Sequence, residues 1–424
     1  MNKMANTVVL STLFLLSDQS LAQETVAGYE CGVERDVSAG GLTERTYNRL
    51  SDVYEQIGEE QYEEAFPALE SLLERNERDD YASATIVQAM AFVRAQQERY
   101  QEAIDLFQRA IDLNRLPNNQ HYEMILQVAQ LHYTLERHQD ALDQLDIWFC
   151  VTPDDQQNKV TVWVMKASIH AQIEEFRNAI EAIDRAIALS DEPKENWYQL
   201  KLGMHFELEK FNEATEVLKI LLRMSPDKKD YWVQLASVYA QLDRNRDSMA
   251  VLSLAHRKGL LERETEYLQL ASLQQEFDFP RKAAEVLQEG LEQGIIENTG
   301  QNWEMAGGAW YEARELEKAL EAYEEAGAQS DDGEIDLQRA FILSDQERWE
   351  EAEEALSRAV DLGGLSDNQT GNAWLLLGTA RYNLGNIDGA MDAFNEATDY
   401  GKVETAAREW MNHIRTEDSR RASS

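Results

Sequence analysis

A chain of 424 residues with 79 acidic against 40 basic side chains carries a formal charge of −39. Phosphate-backbone binding needs the opposite sign on the contacting face, and no Lys/Arg cluster of useful size precedes the C-terminal tail, so nucleic acid is excluded as a partner. Only six prolines and 21 glycines, set against abundant Ala, Leu, Glu and Gln, favour long helices joined by short polar turns over a mixed sheet protein.

The chain opens with Met1-Asn2-Lys3, an apolar run from Val8 to Leu16, polar Ser17 to Ser20, and the small-residue exit Ser20-Leu21-Ala22. This is the pattern of a secretory signal peptide over residues 1–22, predicted to be cleaved after Ala22, because the apolar run is too short to span a bilayer. Gly28-Tyr29-Glu30 before Cys31 is not a lipid-attachment context, and no later segment is apolar enough to cross a membrane, so no membrane insertion is expected. Residues 23–45 show no helical period and are predicted to form an extended arm.

From residue 46 to 400 a helix-helix unit recurs every 33 to 38 residues. Its marker is Ala65, Ala103, Ala141, Ala179, Ala214, Ala283, Ala319, Ala352 and Ala390, with Ser248 in the same slot of the sixth unit. A bulky residue stands three before the marker (Tyr62, Tyr100, Phe176, Phe211, Leu316, Trp349, Ile387) and another four after it (Leu69, Phe107, Ile183, Leu218, Tyr323, Phe394). That spacing puts a continuous apolar stripe on the second helix of each unit. The first helix carries Trp, Leu three on, then a small residue, then an aromatic, as in Trp232, Leu235, Ala236 and Tyr239. Trp303, Ala306, Gly307 and Trp310 nearly repeat it, as do Trp374, Leu377, Gly378 and Tyr382. Residues 401–417 should cap the array, with Val403, Ala406, Ala407, Trp410, Met411 and Ile414 on one face and Arg408 and Arg415 outward, and residues 418–424 should be disordered.

These residues match the tetratricopeptide pattern, which predicts an all-α fold, a right-handed α-solenoid of about ten helix-turn-helix repeats with a C-terminal capping helix. A single hairpin cannot bury its apolar face, so the units are expected to stack on one another.

Little else points to chemistry. There is no His-Glu-x-x-His, Gly-rich phosphate loop or Cys-x-x-Cys, so no enzyme, cofactor, metal or small-molecule substrate is expected. His132, His170 and His205 occupy one aromatic slot of the first helix in three consecutive units. Adjacent slots lie about 8–10 Å apart, too far to share a metal with bonds of ~2 Å, so they read as core or interface residues replacing Tyr, with a pH-sensitive seam as the lesser alternative. Cys31 and Cys150 could form a disulfide in an oxidising compartment, stapling the arm along the first units; the alternative is a buried free Cys150.

In tetratricopeptide folds the first helices line the concave face. The residues expected to form a partner-binding groove are Tyr133, Phe206, Glu207, Glu276, Glu304, Tyr311, Glu312, Glu334, Phe341 and Tyr382, together with Tyr47, Tyr54, Phe92 and Asp345. None is Lys or Arg, which contradicts the carboxylate clamp that some family members use for acidic chaperone tails. An acidic, aromatic-studded groove suits a protein partner presenting an extended basic or Lys/Pro-rich segment.

Several stretches carry a closer resemblance: Thr43-Glu44-Arg45-Thr46-Tyr47, Trp148-Phe149, Pro193-Lys194-Glu195-Asn196-Trp197-Tyr198-Gln199-Leu200, Tyr231-Trp232-Val233-Gln234-Leu235-Ala236 and His256-Arg257-Lys258-Gly259-Leu260-Leu261. Together they resemble the periplasmic tetratricopeptide proteins that accompany TonB-ExbB-ExbD energy-transduction systems of Gram-negative bacteria. The resemblance implies a periplasmic scaffold accessory to TonB-dependent transport such as iron-siderophore uptake, with TonB's basic, proline-rich region as the partner type. The alternative is a scaffold for outer-membrane or exopolysaccharide assembly machinery.

Overall fold

The computed structural model describes residues 25–37 and 40–423, with the side chains of 418–423 left aside. The expected signal peptide, residues 1–22, lies outside the described residues. The described chain divides into two compact units that meet between Glu209 and Lys210.

The first unit begins with a two-stranded hairpin, β1 (Thr25–Val26) and β2 (Tyr29–Glu30), paired antiparallel with Thr25 opposite Glu30. Ala27 and Gly28 make the turn with φ of 50° and 86°, the left-handed pair a tight two-residue hairpin requires. The arm is therefore not extended throughout. Nine helices follow: α1 (Glu44–Gly58), α2 (Tyr62–Glu74), α3 (Asp80–Gln96), α4 (Tyr100–Leu113), α5 (Asn118–Thr134), α6 (His138–Val151), α7 (Val160–Gln172), α8 (Phe176–Leu189) and α9 (Glu195–Glu207). Each packs against its predecessor in the chain. Thr43 starts α1 by accepting from the Thr46 N–H, and Asp79 starts α3 by accepting from the N–H groups of Tyr81 and Ala82.

The second unit holds α10 (Phe211–Met224), α11 (Lys229–Gln241), α12 (Asn245–Arg257), α13 (Glu264–Glu276), α14 (Pro280–Glu292), α15 (Gly300–Glu312), α16 (Leu316–Gly327), α17 (Glu334–Asp345), α18 (Trp349–Leu362), α19 (Asp367–Asn383), α20 (Ile387–Ala397) and α21 (Glu404–Ser423). Within it, too, successive helices pack together. Twenty helices thus fall along the sequence as ten first-helix and second-helix pairs, followed by α21.

All nine marker alanines and Ser248 are completely buried, because the small side chain is what lets a second helix approach its first. Gly307 and Gly378 serve the same end from the first helix, since a Cβ on either would stand within 2.7 Å of the Tyr323 or Phe394 ring. First-helix tryptophans tie down the loop before them: the indole N–H groups of Trp163 and Trp232 donate to the carbonyls of Gln157 and Pro226.

Val403, Ala407, Met411 and Ile414 of the capping segment are buried against Ala390, Phe394 and Ala397 of α20, and Trp410 stacks on Phe394 at 5.6 Å. This helix begins at Glu404 and continues to Ser423, through most of the stretch expected to be disordered from residue 418, because no Gly or Pro stops it.

Candidate functional site

In the second unit, Glu304 of α15 and Glu334 at the start of α17 lie within electrostatic reach of one another, with Tyr311 and Glu312 farther along α15 and Phe341 farther along α17. Tyr311 and Phe341 stand 44% exposed, and Glu312 and Glu334 are also exposed, whereas Glu304 is half-buried. Burial, with the negative charges of Glu334 and Asp332 beside it, raises the Glu304 pKa above the ordinary carboxylate value. Beneath them lies Tyr323 of α16, a buried residue that the sequence pattern treats only as core. Its hydroxyl pKa is pushed up to about 12, by burial first and then by Glu304, Tyr311 and Glu312. Gly308 of α15 would place a Cβ 3.8 Å from that hydroxyl, an ordinary contact distance. A Tyr in a slot that elsewhere holds Leu, Ile or Phe was the available signal.

No salt bridge neutralises Glu304, Glu312 or Glu334 among the described residues; Glu334 accepts a hydrogen bond from the Gln369 side chain at 3.0 Å. Several basic side chains nearby in sequence are committed elsewhere, though Arg314, two residues after Glu312, is not among them. Lys318 lies over the Trp310 ring, Arg339 pairs with Glu324, Arg348 with Glu317 and Glu351, and Arg358 with the buried Asp336. Glu304, Glu312 and Glu334 thus form an acidic patch without ion-pair partners among the described residues, with exposed Tyr311 and Phe341 on the same two helices.

Other expected residues stand apart. Glu276, at the end of α13, is exposed and accepts from the Asn245 side chain. Asp345 is exposed on the last turn of α17. Tyr382 is not open groove wall: α21 covers it, with its ring 5.3 Å from that of Trp410 and its hydroxyl donating to Glu417. The cap that closes the apolar stripe also closes this position.

In the first unit Tyr47 is 62% exposed and Tyr54 and Phe92 are exposed as well, Phe92 meeting Phe107 edge-on at 5.2 Å. Tyr133 is half-buried beside His138, Phe206 is half-buried, and Glu207 is exposed. His170 and His205 are buried and His132 is half-buried. His170 shares a hydrogen bond with Glu175 at 2.8 Å, and His132 lies 3.7 Å from Asp140, so each has its own acid rather than a common ligand.

Cys31 and Cys150 are joined by a disulfide. Around it the Gly32 N–H donates to the Cys150 carbonyl, and the Arg35 guanidinium donates to the side-chain oxygens of Asn114 and Asn118. The arm is thereby fixed across the ends of α4, α5 and α6.

Tetratricopeptide repeat patterns match residues 54–120, 160–193 and 337–410, and the pattern of Anaphase-promoting complex subunit 5 matches residues 224–293. No curated protein matches the chain in sequence. Among solved structures, a tetratricopeptide repeat protein from Parabacteroides merdae ATCC 43184 is 12% identical, covering 66% of this chain and 100% of its own, with a TM-score of 0.37. The TPR2AB domain of yeast Sti1 in complex with pHSP90 is 13% identical over 61% of this chain and 96% of its own, with a TM-score of 0.32. The APC/C hetero-tetramer Cut9-Hcn1 is 11% identical over 87% of this chain and 83% of its own, with a TM-score of 0.27. None of the matched families is catalytic. With its markers buried in every pair, and repeat patterns matched near both ends and between them, the chain is an all-α protein of consecutive helical hairpins that contains tetratricopeptide repeats.

Proposed function

We propose that this scaffold works in the periplasm as an accessory of a TonB-type energy-transduction complex, and that the α15–α17 face receives an extended, Lys/Pro-rich segment of its partner. The observation that carries the reading is the group of Glu304, Glu312 and Glu334 without ion-pair partners among the described residues, on helices that also expose Tyr311 and Phe341. An ammonium group entering there would offset the burial and, after it, the neighbouring negative charges that raise the Glu304 pKa, and would meet aromatic faces worth about 0.5–1 kcal/mol each at exposed sites. A polyproline conformation keeps such a segment extended at little entropic cost. The leader pattern of residues 1–22 and the resemblance to TonB-associated periplasmic proteins support the compartment and the system.

The test is a titration of the full chain with a synthetic Lys/Pro-rich peptide at several salt concentrations. Affinity should fall steadily as salt rises, and Tyr311→Ala with Phe341→Ala should weaken binding about tenfold. Binding indifferent to salt, or untouched by the double substitution, would contradict the mechanism. Fractionation of the native host checks the compartment separately.

A further inference from the structure

The two most exposed large apolar side chains among the described residues stand on one helix of the first unit: Tyr47 at 62% and Tyr54 at 47%, both on α1. Residues three and four apart are neighbours on a helix surface, so Glu44, Tyr47, Asn48, Ser51, Tyr54 and Glu55 form one continuous strip, and all six are exposed. The side of α1 that faces the core is a different one, where Thr46, Leu50 and Val53 are buried. Packing of the repeat therefore does not account for two tyrosines kept in water on one strip.

The chemistry of the strip selects its occupant. Among the described residues Glu44 and Glu55 have no ion pair, and the side chains of Asn48 and Ser51 have no hydrogen-bond partner. The strip thus offers an acid at each end, two rings, and small polar groups between them. Arg45, Arg49 and Asp52 form the next strip round the helix, on the side away from the tyrosines. A partner helix would need a continuous apolar seam, and Ser51 interrupts it between the rings. A polyproline II strand has the opposite need, because its backbone carbonyls are unpaired and take donors such as Asn48, Ser51 and the tyrosine hydroxyls. Seven residues of helix separate the two rings by about 10.5 Å, close to the ~9.3 Å over which such a strand repeats every three residues. The eleven residues from Glu44 to Glu55 rise about 16.5 Å, the length of about five residues of the strand.

We propose that this strip of α1 binds a polyproline II segment of a partner protein, with prolines three apart on Tyr47 and Tyr54 and a basic residue outside each proline facing Glu44 or Glu55. The site shares no residue with the α15–α17 face and stands whether or not that face binds. The test is a titration, by calorimetry or NMR, of the full chain carrying Tyr311→Ala and Phe341→Ala, so that the α15–α17 face does not contribute. The probes are peptides with the cores Lys-Pro-Ala-Ala-Pro-Lys, Lys-Pro-Ala-Pro-Ala-Lys and Lys-Ala-Ala-Ala-Ala-Lys, equal in charge and length. The first should bind saturably and about tenfold more tightly than either of the others. Tyr47→Ala with Tyr54→Ala should weaken it about tenfold, whereas Tyr47→Phe with Tyr54→Phe, which keeps the rings, should weaken it less. All these side chains are exposed, and circular dichroism checks that the variants fold. Three results would each overturn the proposal: no saturable binding of the first peptide, equal affinity for the peptide with shifted prolines, or binding unchanged by Tyr47→Ala with Tyr54→Ala.

Discussion

His121 of α5 is buried with both ring nitrogens unpartnered among the described residues, and burial, with the Arg35 guanidinium nearby, lowers its pKa from 6.5 to about 4. Above the ordinary value the ring is neutral whether the chain is folded or not. As pH falls from 6.5 toward about 4, the unfolded chain takes up a proton that the folded one refuses, so stability declines across that window and levels off below it. The loss should be on the order of 3 kcal/mol at most. Urea denaturation at a series of pH values would show this slope, and His121→Phe should flatten it; an unchanged slope in the variant would assign the effect to other groups. The histidine was visible in the sequence, but its neutrality was not, because Arg35 reaches it only through the folded arm.

The same arm yields a second expectation. The disulfide closes a sequence separation of 119 residues, a long loop whose cross-linking restricts the unfolded chain strongly. Cys31→Ser with Cys150→Ser should cost about 2–4 kcal/mol and speed amide exchange in residues 25–37. If exchange there stays slow without the bond, the Arg35 contacts alone hold the arm.

Among the elements, the turn between the helices of each pair repeats more strictly than the helices themselves. Five residues before every marker stands a left-handed residue: Glu60, Glu98, Glu136, Glu174, Glu209, Asp243, Asp278, Arg314, Glu347 and Gly385, with φ between 52° and 79°. The residue after it commonly donates back across the helix end, as Arg99 does to the Arg94 carbonyl and Glu315 to the Trp310 carbonyl, which satisfies carbonyls the helix leaves over. Only Gly385 takes this conformation without a Cβ clash. Replacing a side chain there with Gly removes about 1–2 kcal/mol of strain and loses about 0.5–1 kcal/mol to extra freedom in the unfolded chain. Glu98→Gly and Glu347→Gly should therefore each stabilise the protein by up to about 1 kcal/mol, and Gly385→Ala should destabilise it by a similar amount. Thermal melts of the three variants decide the point, and a loss of stability in both Gly variants would refute it. Only Asp243, Asp278 and Gly385 announce this position by residue type, since Glu and Arg favour helix; tertiary packing of the paired helices overrides their preference.

For the whole molecule, the excess of 79 acidic over 40 basic side chains has to be held together against its own field. Much of the basic complement is engaged locally, as with Lys166 and Asp146, Lys201 and Asp184, and Arg381 and Glu353. What remains is net repulsion. Added sodium chloride should raise the thermal midpoint of the chain by screening it; a midpoint that falls with salt would mean that the local pairs outweigh the field.

The repeat, the paired helices, the buried markers and the cap were legible because each unit is bound to bury one stripe of side chains at helical spacing, and that requirement is written residue by residue. Ten copies in phase made it unmistakable, and the acidity of the expected groove could be read in the same way. Tertiary structure alone decided that Tyr382 lies under α21 and that Tyr323 underlies the acidic patch. Those facts depend on which neighbour covers a side chain, and covering is a relation between segments tens of residues apart that no local spacing encodes.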